Sequence, residues 1–247
     1  MLYSLNDILK YNVDLGDARG SVEDILFEAE EGRVCFVAID IGGWFDSRSA
    51  VLSAERVAEI DADARTISVD VAKQEIEAAP EIGAAGQGGA FQPAGDWTAW
   101  PKVMVGPSAS AIARDLVSFI GFDPAGEDAE PRGGKDDDIA TAAGLTAVST
   151  IVSTTAIGSE GEIGRVIDLL FDDDSLLLSH LVVDTGTVLP ERQMVVPIKL
   201  LSHFAEEDGH TVLRTTKDAV EKSPPLEEFD GLERNWLDAV AAYYGLS

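Results

Sequence analysis

Three histidines, one cysteine and a surplus of carboxylates are the chain's stock of reactive side chains. His180, His203 and His210 fall in no His-Glu-x-x-His or His-plus-Cys spacing that would gather a zinc ion. His180 follows Ser179 in an extended apolar stretch, and His203 and His210 flank an acidic turn, so structural or exposed roles are expected. Asp172, Asp173 and Asp174 are consecutive, as are Asp136, Asp137 and Asp138. A calcium loop alternates its ligands along Asp-x-Asp-x-Asp-Gly and adds a distal Glu; neither run does so, and solvated turns are expected. Asp40 and Asp184 each close an apolar strand just before a glycine-containing turn. A carboxylate there caps the turn, with Arg48 or Arg192 near enough for an ion pair; an active-site acid is the alternative. The GSEGEIG stretch (158–164) has the wrong glycine spacing for a phosphate cradle and leads into a strand. GxSxG, P-loop and strand-linked GxGxxG patterns are missing. The expectation is a protein that is not an enzyme, with no catalytic residue, no metal and no cofactor.

The aromatic side chains point to contact rather than to chemistry. Trp44 and Phe45 fall in a loop, Trp97 and Trp100 in a central insert, and Trp236, Tyr243 and Tyr244 in the tail. Aromatic residues in loops and termini commonly anchor interfaces, so these seven are candidate interface residues. The competing reading is that insert and tail fold back over the rest of the chain.

Charge narrows the partners. Asp and Glu number 45 against 18 Lys and Arg, a formal charge of −27. Such a surface repels nucleic-acid phosphates and anionic lipid headgroups, and no dense Lys/Arg patch offsets it. The acidity serves either plain solubility or life in high salt. Cys35, alone in the apolar run VCFVAID, cannot form an intrachain disulfide and fits a reducing compartment. No signal-peptide pattern opens the sequence and no run of 18 apolar residues occurs, so a cytoplasmic location without an integral membrane segment is expected.

The elements that must carry these residues occur twice. At an offset of 144 positions, Gly20/Gly164, Val22/Val166, Asp24/Asp168, Leu26/Leu170, Phe27/Phe171, Asp40/Asp184 and Gly42/Gly186 are identical. The register continues through Arg48/Arg192, Val51/Val195, Lys73/Lys217, Glu77/Glu221 and Pro80/Pro224. Each copy alternates in the period of a strand: 21–27, an acidic turn, then 34–39 in the first, and 164–171, a DDDS turn, then 176–183 in the second. A short strand at 50–53, a helical turn at 54–60, a strand at 66–71 and a short helix stopped by Pro80 complete the first copy. The predicted organisation is domain 1 over 1–80, a Gly- and acid-rich linker over 81–143 with a helix at 110–122, domain 2 over 144–228, and a helical tail over 229–247. Short strands with frequent turns predict an all-β fold with minor α, two small barrels in tandem.

GEIGRVIDLLFDD, LSHLVVDTG, LPERQMVVP and TKDAVEKSP in the second copy resemble the PRC-barrel domain, and the first copy keeps GSVEDILF, FVAIDIGGW and KQEIEAAP. That small barrel occurs in the cytoplasmic part of the photosynthetic reaction-centre H subunit and in the RimM-type ribosome-maturation factor. The resemblance implies a tandem PRC-barrel protein and a shared scaffold rather than a shared chemistry. With no catalytic constellation, the expected function is a protein-interaction or assembly module, with a homo-oligomer one form of it. The alternative is a small-ligand-binding or regulatory subunit of a membrane electron-transfer complex.

Overall fold

The structure, a computed structural model, describes residues 1–16, 18–28, 31–41, 49–82, 96–106, 145–186, 192–205, 209–224 and 234–246. Along the chain these form β1 (Leu2–Ser4), α1 (Leu5–Ile8), β2 (Asn12–Asp14), β3 (Arg19–Glu28), β4 (Arg33–Asp40), β5 (Ser49–Ser53), β6 (Val57–Asp61), β7 (Thr66–Val69), α2 (Lys73–Glu77) and β8 (Val103–Gly106). There follow β9 (Leu145–Ala147), α3 (Val148–Ile151), β10 (Thr155–Gly158), β11 (Gly161–Asp172), β12 (Leu177–Asp184), β13 (Gln193–Pro197), β14 (Leu201–Ala205), β15 (His210–Leu213), α4 (Lys217–Glu221) and α5 (Arg234–Tyr243). The fold is all-β with a few short helices. Trp44, Phe45, Arg48, Asp136 to Asp138 and the helix expected at 110–122 lie outside the described residues.

Two compact units result, and their membership does not follow chain order. The N-repeat unit comprises Lys10–Glu30 and Cys35–Thr146; the C-repeat unit comprises Met1–Leu9, Glu31–Val34 and Ala147–Ser247. Within the N-repeat unit, β2 runs antiparallel to β3 and parallel to β7, β7 pairs with β6, and β4 pairs with β5. The C-repeat unit has the same pattern: β10 antiparallel to β11 and parallel to β15, β15 with β14, and β12 with β13.

The glycine repeated at the start of each long strand has a steric reason. A Cβ on Gly20 would meet the Asp40 carbonyl oxygen, and one on Gly164 would meet that of Asp184. Both contacts are with backbone, which cannot rotate away. The aspartate four residues later is buried in both copies. Asp24 Oδ1 accepts from the Ile25 N–H at 2.8 Å and Asp168 Oδ1 from the Leu169 N–H at 2.7 Å.

Three segments differ from the sequence expectation. Residues 54–60, expected as a helical turn, give one 3-10 turn at Ala54–Arg56 and then strand β6. There Ile60 and Val57 alternate against Ile67 and Val69 across the pair, so strand pairing outweighs local helix propensity. Val103–Gly106, assigned by sequence to the linker, is a strand paired along β5, with Val103, Met104 and Val105 buried. The third is the leading segment. β1 pairs antiparallel with β11, Leu2 opposite Asp172 and Ser4 opposite Leu170, inside the C-repeat unit. Its counterpart β9 pairs with β3 of the N-repeat unit. Each repeat is therefore completed by the other repeat's first strand.

Helix α5 closes one face of the C-repeat unit. Val240 is fully buried with Leu170, Val182 and Val195, and Trp236 and Tyr244 pack against that cluster. Spacing of four puts Trp236, Val240 and Tyr244 on one side, while Tyr243 is exposed.

Candidate binding cleft

Strand pairing in the N-repeat unit builds a polar grid on one sheet face. Residues opposite one another across neighbouring strands share a face. Asp14 lies opposite Arg19 on β3 and Ser68 on β7, and Ser68 lies opposite Glu59 on β6. In the adjacent row Asn12 is opposite Thr66, which is opposite Asp61. These residues line a cleft of about 290 Å³, with Val13 and Ala64 completing its wall. Two of the carboxylates are held by their own turns: Asp14 Oδ1 accepts from the Gly16 N–H and Asp61 Oδ1 from the Ala64 N–H, both at 2.8 Å. Three carboxylates, one guanidinium, two hydroxyls and an amide suit a cationic or polyhydroxylated group.

The C-repeat unit supplies an internal control. Its matched row pairs Ile157 with Val212 and Val212 with His203, and the next pairs Thr155 with His210 and His210 with Ala205. Ile157, His203 and Ala205 stand where the N-repeat unit has Asp14, Glu59 and Asp61. The fold accepts either set, so the carboxylates are not a requirement of the scaffold. Sequence reading missed this cleft because its residues come from four strands. Only a residue-by-residue comparison of the two copies would have flagged it.

The other chemistry-bearing residues are occupied locally. Asp184 Oδ1 accepts from the Gly186 N–H at 2.8 Å, while Arg192 reaches this turn through its carbonyl, which accepts from the Thr185 N–H at 3.1 Å. Asp40 closes β4 opposite Ser49. The carboxylates of Asp172, Asp173 and Asp174 lie within 4.8 Å of one another at the β11–β12 turn. The Met1 ammonium bonds to Asp173 and sits 3.8 Å from Asp172 Oδ2 and 3.6 Å from Asp174 Oδ2. Burial pushes the Asp172 carboxyl up, but bonds from the Ser175 N–H and hydroxyl outweigh it and leave Asp172 below its usual value. The run is thus a turn with its own internal cation. His203 and His210 lie at strand positions in the β14–β15 pair.

His180 is different. It lies on β12 between Leu170 of β11 and Pro197 of β13, buried, with Nδ1 lacking a hydrogen-bond partner. Burial lowers its pKa to about 4. The matched residue in the N-repeat unit is Phe36. Trp100 stacks on Phe36 at 5.8 Å between ring centroids, and Trp97 meets it edge-on at 6.2 Å. Trp100 is thereby buried in the unit's own core. In the tail, burial raises the Tyr244 phenol; the nearby Ser223 hydroxyl opposes the rise but gives its own proton to the Val220 carbonyl at 2.9 Å. Tyr243 is exposed, with its hydroxyl donating to the Ala219 carbonyl at 2.8 Å.

The PRC-barrel domain matches residues 11–76, the stretch that holds every residue of the cleft. An uncharacterized protein of Deinococcus radiodurans is 40% identical over 58 residues, covering 20% of this chain and 21% of that protein. The chain thus spans about a fifth of that relative's length. A PRC-barrel domain suggests a non-catalytic module. Among the described residues no helix is long and apolar enough to cross a membrane.

Proposed function

We propose that the chain is a non-catalytic interaction module of two PRC-type units, in which the N-repeat cleft binds a protein partner through that partner's Lys or Arg side chains. The observation that carries this reading is the carboxylate grid of Asp14, Glu59 and Asp61, absent from the matched rows of the C-repeat unit. Glu59 and Asp61 lie on β6, at the end of the strand order, where a partner has access. A charge of −27 adds a long-range field that draws basic segments and repels nucleic acid. Two carboxylates that work as an acid and base pair need one held protonated beside an ionised one, which calls for an apolar wall. Glu59 and Asp61 are exposed instead, and this supports binding over catalysis. Trp44, Phe45 and the exposed Tyr243 are proposed as further contacts.

A small-ligand or regulatory role toward a membrane electron-transfer complex is the second reading, favoured by the gathering of polar groups from four strands around one cleft. Its volume of about 290 Å³ sits at the lower edge of ligand sites, and its polar lining departs from their usual apolar character. The protein-partner reading therefore ranks first. Quantitative affinity capture from source cells, comparing the natural chain with an Asp14→Asn, Glu59→Gln, Asp61→Asn variant of equal stability, tests it. The expected result is a specific, salt-sensitive partner lost in the variant. A partner set unchanged by the three substitutions would overturn it.

A further inference from the structure

The leading segment of the chain, Met1–Leu9, belongs to the C-repeat unit rather than to the unit that holds the rest of β2 to β8. Its attachment is extensive. Leu5 and Ile8 are almost fully buried, and Tyr3 lies 5.9 Å from Phe171 between ring centroids. Ser4 donates its hydroxyl to Asp168 Oδ2 at 2.5 Å, and the Asn6 N–H reaches Asp168 Oδ1 at 2.9 Å. A second segment of the same half, Glu31–Val34, also belongs to the C-repeat unit: Arg33 pairs with Leu177, and the Val34 N–H donates to the Leu176 carbonyl at 2.8 Å. In return Leu145 and Thr146, both buried, belong to the N-repeat unit. Traffic runs in both directions.

We infer that the two repeats are held together by this reciprocal loan of strands, and that the covalent connection through 107–144 is dispensable for their association. Each half is the other's obligate partner, an arrangement expected of a strand-exchanged dimer whose two subunits became one chain. A repeat deprived of the opposite leading strand exposes the β11 edge from Leu170 to Asp172 and the apolar groups that Leu5 and Ile8 cover. Unpaired strand edges and uncovered apolar surface are costly, so neither half is complete alone. The inference does not depend on what the cleft binds.

The test uses the full chain with a specific protease recognition sequence inserted between Asp123 and Asp138. After folding and complete cleavage, size-exclusion chromatography and native mass spectrometry read the mass of the product. The expected result is a one-to-one complex of the two fragments that separates only in denaturant. Leu5→Asp in the cut chain is expected to raise the fragment dissociation constant by at least about tenfold, from loss of a buried leucine. Ser4→Ala, a milder change at the same contact, is expected to raise it severalfold with the circular dichroism of the intact chain unchanged. Fragments that part on dilution under native conditions would overturn the inference, as would a complex indifferent to both substitutions.

Discussion

Asp168 takes the Ser4 hydroxyl on one carboxylate oxygen at 2.5 Å and the Asn6 N–H on the other at 2.9 Å, across 164 positions of sequence. Ser4 also caps α1, its Oγ accepting from the Asp7 N–H at 2.9 Å. One buried carboxylate thus fixes the start of the leading helix and the bulge in β11 where β10 ends and β1 begins.

Removing that carboxylate leaves three donors without it: the Ser4 hydroxyl and the N–H groups of Asn6 and Leu169. Asp168→Ala is expected to destabilise the chain by about 1.5–3 kcal/mol, the usual range for a hydrogen bond to a charged group. With Ser4→Ala in a double-mutant cycle, a coupling of about 0.5–3 kcal/mol is expected because the two residues touch. Urea denaturation of the four proteins measures it, and a coupling of zero contradicts the contact.

His180 gives a pH dependence of definite sign. Its folded-state pKa of about 4 lies below the unfolded value of 6.5, so the unfolded chain binds a proton that the native one refuses. Stability is fully present above pH 6.5 and falls as pH drops toward 4, by up to about 3 kcal/mol. His180→Phe, which installs the residue found at the matched position 36, is expected to remove this component. The measurement is the difference in unfolding free energy between variant and natural chain at pH 7 and pH 4.5; a difference independent of pH contradicts it.

Gly164→Ala drives a Cβ into the Asp184 carbonyl, and Gly20→Ala does the same at Asp40. Each is expected to cost about 1–3 kcal/mol or more, because the obstructing atoms are backbone. Thermal or urea melts of the two single variants measure this, and costs near zero would contradict the steric account of the repeated glycine.

Trp236→Ala strips part of the α5 stripe from the cluster of Leu170, Val182 and Val195. Because Trp236 is half-buried, a loss toward the lower end of the roughly 3–5 kcal/mol typical of core aromatic truncation is expected. Urea denaturation reads it, and increased dye binding should accompany it as the apolar face is uncovered.

The legible part of this fold was the local part. The Gly20/Gly164 register, the hairpins around the two acidic turns and the tail helix are written in strand and helix periods, and each has its element. What depended on distant pairing was hidden. Leu2–Ser4 has the same alternation whether it joins β3 or β11, and nothing local distinguishes those acceptors. Asp24 and Asp168 were visible as an identity, but the partners of Asp168, Ser4 and Asn6, stand 164 and 162 positions away in sequence. The cleft was hidden for the same reason: Asp14, Ser68 and Glu59 become neighbours only once β2, β7 and β6 are paired. Val57 to Ile60 fell in the helical turn expected over 54–60 because their helix-compatible composition competes with the cross-strand Val57–Val69 and Ile60–Ile67 pairing.

Amide hydrogen exchange on the uncut, unmodified chain tests most directly that the leading segment belongs to the C-repeat unit. If it does, the N–H groups of Asn6 and Asp7, bonded to Asp168 and Ser4, exchange as slowly as those of Leu169 and its neighbours on β11, and Asp168→Ala speeds both sets together. Fast exchange throughout residues 2–9 while β11 stays protected would contradict the exchanged-strand account.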